Sequence, residues 1–172
     1  SGCTMEAMAT EAMIQPVFDA LHERYGDALL VICYMNTSGR IKALAGRTGG
    51  SVCTSSNAHV IMRWAREQGR KIFFVPDRHL GENAGRAVGI GPEAMFQWPG
   101  GWDGARMAPE DLSAVDLARL DRAELVLWGS YCGVEDVGRV EDYAAATQWR
   151  AVASAEGGEQ ETTAETKVCG KV

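Results

Sequence analysis

The feature that most constrains the fold is an alternation of short apolar runs with helix-like segments. The runs are rich in Val, Ile, Leu and Phe and apolar on both faces, which is typical of buried parallel strands. They occupy residues 28–36, 51–56, 71–77 and 123–132. Helix-like segments separate the first three runs, and strand, helix, strand at this spacing indicates βαβ units. The sequence therefore predicts an α/β protein, a three-layer α/β/α domain with a short parallel sheet.

Composition divides the chain into three segments. Residues 1–25 are predicted to be largely helical, and residues 26–140 carry the α/β/α domain. Residues 141–172 are polar and rich in Gly, Glu and Thr, so we expect a disordered tail that has too few apolar residues to pack. Within the domain, residues 92–111 are predicted to be a loop. The chain lacks an initiator methionine, which suggests that it begins inside something longer.

Length and charge exclude several classes of protein. The chain has 172 residues and no apolar run near the roughly 20 residues that a membrane span requires, so no membrane segment is predicted. Its start lacks both a basic region and a continuous apolar segment, and we expect a cytoplasmic location without a secretory signal. The balance of 17 basic and 23 acidic residues gives a net charge of −6, which argues against a nucleic-acid partner.

Polar residues follow the first predicted strand, at the end where parallel α/β sheets bind ligands. The segment "YMNTS" presents Tyr34, Asn36, Thr37 and Ser38. Side chains alternate along a strand, so Tyr34 and Asn36 are predicted to share a face and to point into one cleft. The alternative is that Thr37 or Ser38 only caps a helix and that Tyr34 is a core aromatic.

The second strand ends in "CTSSNA", and a helix is predicted to follow. Hydroxyls and backbone N–H groups at a helix start suit an anion, which makes Ser55 a candidate contact. Ordinary capping by Ser56 or Asn57 is the alternative. The helix is predicted to place Val60, Ile61, Trp64 and Ala65 on one side and arginines on the other.

The third strand ends in "PDRHLGENAG". Pro76 is predicted to stop the strand and Asp77 to cap a helix, while a histidine in the position of His79 is more often structural than catalytic. The glycines of "GENAG" lack the spacing of a dinucleotide fingerprint and follow a helix start.

The five cysteines are widely spaced and include no CxxC pair; they are Cys3, Cys33, Cys53, Cys132 and Cys169. In a reducing compartment such cysteines are more often buried thiols, metal ligands or nucleophiles than disulfides. Cys132 is predicted at the carboxyl end of its strand, and Cys3 comes just before a helix, where the dipole favours a thiolate. Cys53 is interpreted as a small buried residue.

Four stretches together resemble quinolinate synthase, in the same order and at fitting separations. They are "GCTMEAMA", "ICYMNTSGRIKALAGRTGGSVCTSSNA", "IFFVPDRHLGENAGRAVGI" and "LVLWGSYCGV", and they run from about residue 2 to residue 134. The resemblance implies the middle one of three pseudo-equivalent α/β/α domains around a [4Fe–4S] cluster, with residues 1–25 as the last helix of the first domain. It also implies an enzyme of de novo NAD biosynthesis that condenses iminoaspartate with dihydroxyacetone phosphate to quinolinate.

Carried over residue by residue, the resemblance implies roles for five side chains. Cys3 and Cys132 correspond to two of the three thiolates that hold the cluster, which leaves one iron open as a Lewis acid. Tyr34 and Asn36 correspond to active-site residues, and Ser55 to a carboxylate or phosphate contact. Cys53 is not a ligand in this scheme.

The chain also departs from the family pattern. The second cluster cysteine is followed by Val134 and Glu135, where the family has Val-His, and no match is found after about residue 135. The first and third domains are absent apart from the first helix, and Cys169 has no family motif around it. These departures suggest the middle domain of a quinolinate synthase with a foreign or altered C-terminal stretch, as a gene fragment or a frameshifted reading frame would produce. The partner expected in that case is a chain that supplies the missing domains. The alternative is a non-catalytic or degenerate α/β module that binds a small phosphate or dicarboxylate.

Overall fold

The computed structural model describes residues 9–100 and 108–130, which are built around a five-stranded sheet. Its strands are β1 (Leu29–Tyr34), β2 (Ser51–Cys53), β3 (Lys71–Val75), β4 (Met95–Gln97) and β5 (Leu125–Leu127). The strand order is β2-β1-β3-β5-β4, and every neighbouring pair is parallel. The prediction of a parallel α/β sheet is confirmed.

Helices cover both faces of the sheet and complete a three-layer α/β/α domain. They are α1 (Glu11–Tyr25), α2 (Gly39–Arg47), α3 (Ala58–Glu67), α4 (Arg78–Ala87) and α5 (Ala114–Arg122). The first core cluster joins one face of the sheet to α1, α2 and α5, and the second joins the other face to α3 and α4. No helix in residues 9–100 or 108–130 is long and apolar enough to span a bilayer.

Strand β1 shows why the predicted runs are apolar on both faces. All six of its residues are buried. Val31 and Cys33 pack in the first core cluster, whereas Ile32 and Tyr34 pack in the second. A strand that alternates between two helical layers has no solvent-facing side, so polar residues are excluded until the strand ends.

The strands are shorter than predicted, and each one ends before the polar residues that close the predicted segment. Strand β1 ends at Tyr34 and β2 at Cys53, while β3 ends at Val75, directly before the predicted stop. Within the described part of the fourth predicted run, residues 123–130, strand β5 has three residues.

The prediction that residues 92–111 form only a loop is wrong, because β4 lies within them. Strand β4 pairs with β5 at the edge of the sheet, where Phe96 lies opposite Val126. Only Phe96 of its three residues is buried. A strand of three residues with one buried side chain is too short to produce a detectable hydrophobic period.

The predicted apolar face of α3 is also wrong in part. Ala65 is fully buried, in agreement with the prediction, but Val60 is 53% exposed and Trp64 is 41% exposed, whereas Ala58 and Met62 are fully buried. Small residues allow α3 to pack closely on the sheet, and the larger side chains are left on its outer side. The size and apolar character of the side chains alone did not identify which side of α3 is buried.

Two glycines of "GENAG" lie inside α4 and bring that helix onto the sheet. A Cβ atom at Gly81 would lie 2.6 Å from Cδ2 of Leu127 and 2.6 Å from Cδ1 of Phe74. Gly85 lies one turn later, and its Cβ would lie 2.7 Å from Cδ2 of Leu125. These glycines therefore serve helix-to-sheet packing, in agreement with the interpretation that they form no dinucleotide motif.

Helix α1 packs in the first core cluster through Ile14, Val17, Phe18 and Leu21. The assignment of residues 1–25 to a preceding domain stays a prediction. The predicted tail, residues 141–172, lies outside the described residues.

Candidate functional site

The parallel register brings the turns that follow the strands to one edge of the sheet, called here the carboxyl edge. Tyr34 lies opposite Cys53 across β1 and β2, and Cys33 lies opposite Val75 across β1 and β3. Beyond the strands, Asp77 forms an isolated parallel bridge with Ser130. Residues that are far apart in sequence thus follow one another along this edge, as expected for a ligand site in such a sheet.

The turn after β1 is stabilised by its own hydroxyl groups. Oγ1 of Thr37 donates to the carbonyl of Tyr34 at 2.8 Å, and Oγ of Ser38 accepts from the amide of Ile41 at 3.4 Å as the cap of α2. The capping alternative therefore holds for Ser38, and Thr37 closes the turn. These two hydroxyls have structural roles.

Tyr34 and Asn36 occupy different environments. Tyr34 is 6% exposed and packs in the second core cluster, at the last position of β1. Asn36 is half-buried and lies in the turn, so the predicted alternation along a strand does not extend to it. Both residues stand at the carboxyl edge, and their roles towards a substrate stay predictions.

The turn after β2 is closed by side chains that were candidates for capping α3. The amide of Thr54 donates to Oδ1 of Asn57 at 2.7 Å, and Oγ1 of Thr54 lies 3.0 Å from Oγ of Ser56. Asn57 occupies the N-cap position, but its side chain does not cap the helix. Ser55 is half-buried between these residues. Its role as a carboxylate or phosphate contact stays a prediction.

The turns after β3 and β5 are bonded to each other. Oγ of Ser130 donates to the carbonyl of Pro76 at 2.6 Å, and the amide of Arg78 donates to the carbonyl of Ser130 at 2.8 Å. Asp77 is 1% exposed, and its Oδ1 accepts from the amide of Leu80 at 3.0 Å, which confirms the predicted cap of α4. The segment that precedes Cys132 is thereby fixed to the carboxyl edge as far as Ser130.

Sequence reasoning did not single out Arg78, which brings a positive charge to the same edge. Its Nη1 donates to Oε1 of Gln97 at 3.1 Å, and its Nη2 lies 3.1 Å from Nε2 of His79. These contacts orient the guanidinium across the ends of β3 and β4. Arginine is suited to bind carboxylates and phosphates. The signal in the sequence was its position, directly after the capping Asp77.

The two described cysteines are buried thiols. Cys33 and Cys53 are 0% and 1% exposed. Burial raises the pKa of the Cys33 thiol, and it raises the pKa of Cys53 to about 12. A thiol that resists ionisation is a poor metal ligand, in agreement with the interpretation of Cys53 as a packing residue.

No group of three or more His, Cys, Asp or Glu side chains that could hold a metal ion occurs within residues 9–100 and 108–130. The predicted cluster ligands, Cys3 and Cys132, lie outside the described residues, as does Cys169.

Comparisons with known proteins identify the family. A family model described as "Quinolinate synthetase A protein" matches residues 1–154. The chain is 35% identical over 136 residues to quinolinate synthase of Geobacillus thermodenitrificans, covering 79% of this chain and 35% of the relative. It is 36% identical over 135 residues to that of Corynebacterium glutamicum, covering 78% and 32%. For Nocardioides sp. the identity is 38% over 142 residues, covering 78% and 34%. No solved structure gave a match.

Proposed function

The chain belongs to the quinolinate synthase family, and we propose that it acts as the middle domain of a quinolinate synthase in de novo NAD biosynthesis. The reaction would be the condensation of iminoaspartate with dihydroxyacetone phosphate to quinolinate. The chain spans about a third of the length of the curated relatives it matches. The proposal therefore includes the remaining domains and the third cluster thiolate, which either a longer form of this chain or a partner chain would supply.

The observation that supports this proposal is that residues of two family motifs, "YMNTS" and "CTSSNA", lie at the same carboxyl edge of the sheet. Tyr34 is the last residue of β1 and Asn36 lies in the turn that follows it, while Ser55 comes from the turn after the adjacent strand β2. Both proposed substrates are anions, one with carboxylates and one with a phosphate. Hydroxyl groups, backbone N–H groups at the start of α3 and the Arg78 guanidinium are donors suited to such oxygens.

The donor set fits a [4Fe–4S] cluster at Cys3 and Cys132. Thiolates are the ligands that iron–sulfur clusters take, and the buried thiols of Cys33 and Cys53 are unsuited to the role. The hydrogen bonds of Ser130 hold Ser130 at the carboxyl edge. Cys132 follows Ser130 by two residues in the sequence. When bound, the cluster supplies an open iron that acts as a Lewis acid towards the oxygen lost as water.

Anaerobic reconstitution of the full chain with iron and sulfide tests the cluster assignment. We expect iron and acid-labile sulfide to be retained after desalting, and we expect Cys132→Ser to lose most of both. Cys53→Ala is the matched control, because that thiol is buried and has a raised pKa. A Cys132→Ser protein that retains iron like the parent would disprove the ligand assignment.

Ligand binding separates the proposed enzyme from its alternative. Calorimetric titration of the reconstituted chain with dihydroxyacetone phosphate, and separately with malate as a dicarboxylate probe, should show binding of both. Binding by a chain that retains no iron would favour a non-catalytic module that binds a small phosphate or dicarboxylate. If neither compound binds, no ligand site at the carboxyl edge can be defended.

A further inference from the structure

A groove runs along one side of α1, called here the α1 groove. It consists of two adjoining cavities of about 320 Å³ each, which have Trp98 and Pro109 in common. The residues through which α1 lines the groove recur every three to four positions, so they lie on one side of the helix. They are Ala12, Met13, Pro16 and Val17 in one cavity and Ala20, Leu21, Glu23 and Arg24 in the other.

The α1 groove extends along most of α1. At one end it includes Arg24, whose guanidinium binds the carboxylate of Asp121 in α5. At the other end it reaches Gly100 and Trp128, which follow β4 and β5. From Ala12 to Arg24 the helix rises about 18 Å, at about 1.5 Å per residue. A second helix of about three turns would match this length.

The floor of the α1 groove is apolar. Val17, Leu21, Trp98 and Leu120 line it, and each is less than 5% exposed. Concave apolar surfaces with a polar border are typical of interaction sites.

The border of the α1 groove is acidic. Glu23 of α1 and Glu110 of the facing segment are both exposed, and neither forms an ion pair within residues 9–100 and 108–130. Arg24 is the third charged residue that lines the groove, and its charge is compensated by Asp121 at 2.5 Å between Nη2 and Oδ2. Carboxylates beside apolar surface favour a partner that carries Lys or Arg next to its apolar side chains.

The walls of the α1 groove favour a helix over an extended peptide. The groove is lined by α1, by α5 and by residues that lie outside the strands. An extended peptide needs a strand edge to satisfy its backbone N–H and C=O groups, whereas a helix satisfies most of them internally.

We propose that the α1 groove binds an amphipathic helix of a partner polypeptide, with its apolar side on the groove floor and Lys or Arg beside Glu23 and Glu110. Apolar side chains at positions i, i+3, i+4 and i+7 of the partner match the spacing of the side chains that α1 presents. The inference does not rest on the proposed function, because the carboxyl-edge residues Tyr34, Asn36 and Ser55 take no part in it.

Fluorescence anisotropy of labelled synthetic peptides tests the inference on the full chain. The probe is an amphipathic peptide of about 14 residues with Leu on one side and Lys on the other, and its matched control carries Glu in place of Lys. We expect the Leu/Lys peptide to bind about tenfold more tightly than the Leu/Glu peptide, because Glu would face the acidic border. A protein that binds neither peptide, or both equally, would overturn the inference.

Charge reversal locates the binding. Glu23→Lys and Glu110→Lys should each weaken binding of the Leu/Lys peptide about fivefold without a change in melting temperature, because both side chains are exposed. Glu67→Lys is the matched control, since it makes the same change of charge at an exposed position of α3, on the opposite face of the sheet. Equal loss in all three variants would indicate a general attraction to an acidic protein and would overturn the inference.

A polar substitution tests the contact with the groove itself. Ala20→Gln should weaken binding of the Leu/Lys peptide about fivefold, because it extends a polar side chain into the cavity without a change of charge. Ala43→Gln is the matched control, because Ala43 is exposed in α2. An Ala20→Gln protein that binds the peptide like the parent would place the peptide outside the groove and overturn the inference, while the proposed function would stand.

Discussion

Ser130 donates a 2.6 Å hydrogen bond from its Oγ to the backbone carbonyl of Pro76. Both residues are buried. The bond joins the turn after β5 to the turn after β3, and the amide of Arg78 strengthens the connection by donating to the carbonyl of Ser130. This pair holds the chain at the carboxyl edge two residues before Cys132.

Ser130→Ala should lower the free energy of unfolding by about 1–3 kcal/mol, because the buried carbonyl of Pro76 loses its hydroxyl donor. Urea denaturation of the full chain measures the change. Ser51→Ala is the control, since the Ser51 hydroxyl makes only an exposed 3.4 Å contact with the carbonyl of Val52. Equal effects of the two substitutions would show that the buried bond contributes nothing specific. Ser130→Ala should also reduce iron retention if Cys132 is a cluster ligand.

A second pair of substitutions tests the close contact of α4 with the sheet. Gly81→Ala should destabilise the protein by about 1–3 kcal/mol, because the new methyl group would overlap the side chains of Leu127 and Phe74. Gly46→Ala in α2 has nothing within 4 Å of the added Cβ, and it should stabilise the protein by about 0.5–1 kcal/mol. Thermal melting of both variants measures the difference. A Gly81→Ala protein as stable as the parent would contradict the packing role of this glycine.

Asp121 connects α5 to the end of α1 and makes stability depend on pH. Its carboxylate accepts from Nε of Arg24 at 2.7 Å and from the hydroxyl of Tyr25 at 2.7 Å. The hydrogen bonds from Arg24, followed by that from Tyr25, lower the pKa of Asp121 to about 2. A carboxyl whose pKa is lowered on folding stabilises the protein above the unfolded pKa of about 3.9, and this contribution is lost as the pH falls towards 2.

Asp121→Asn should therefore lower the free energy of unfolding at pH 7 by about 0.5–1 kcal/mol, a modest amount because the side chain of Asp121 is 44% exposed. The difference from the parent should narrow between about pH 5 and pH 2. Urea denaturation across this range measures it. Glu67→Gln is the control, because Glu67 is exposed at the end of α3 and should show no such difference. If the difference in the free energy of unfolding between the parent and Asp121→Asn stayed the same down to low pH, the charge of Asp121 would be excluded as its cause.

The sheet could be predicted because its central strands are buried on both faces. Residues 29–34 and 72–75 are apolar without interruption, and such runs between helix-like segments have few other interpretations. Strand β4 could not be predicted, since it has three residues and its pairing with β5 depends on a partner 30 positions away in sequence. The buried side of α3 was misjudged in part, because close packing buries Ala58 and leaves the bulkier Trp64 41% exposed.

At the carboxyl edge, the sequence indicated which residues lie at the strand ends, but it did not indicate which of them form hydrogen bonds with each other. The strand-end rule placed Tyr34 and Ser55 at the carboxyl ends of two strands; Tyr34 is the last residue of β1, and Ser55 follows the adjacent strand β2. The bond of Ser130 to Pro76 and that of Arg78 to Gln97 join residues separated by 54 and 19 positions, respectively. Such bonds depend on the strand order, which the sequence pattern alone did not specify.

Tyr34→Phe separates the packing role of this residue from its proposed role at the site. The ring packs in the second core cluster, so removal of the hydroxyl alone should change the free energy of unfolding by less than about 1.5 kcal/mol. If the phenol contacts substrate, binding of malate or dihydroxyacetone phosphate should weaken about tenfold in calorimetric titration. Tyr25→Phe is the matched control, because it removes the hydroxyl that donates to Asp121 at the other end of the sheet. It should reduce stability slightly and leave both affinities unchanged. If Tyr34→Phe binds both ligands with the parent's affinity, Tyr34 has only a packing role and its hydroxyl does not contact substrate.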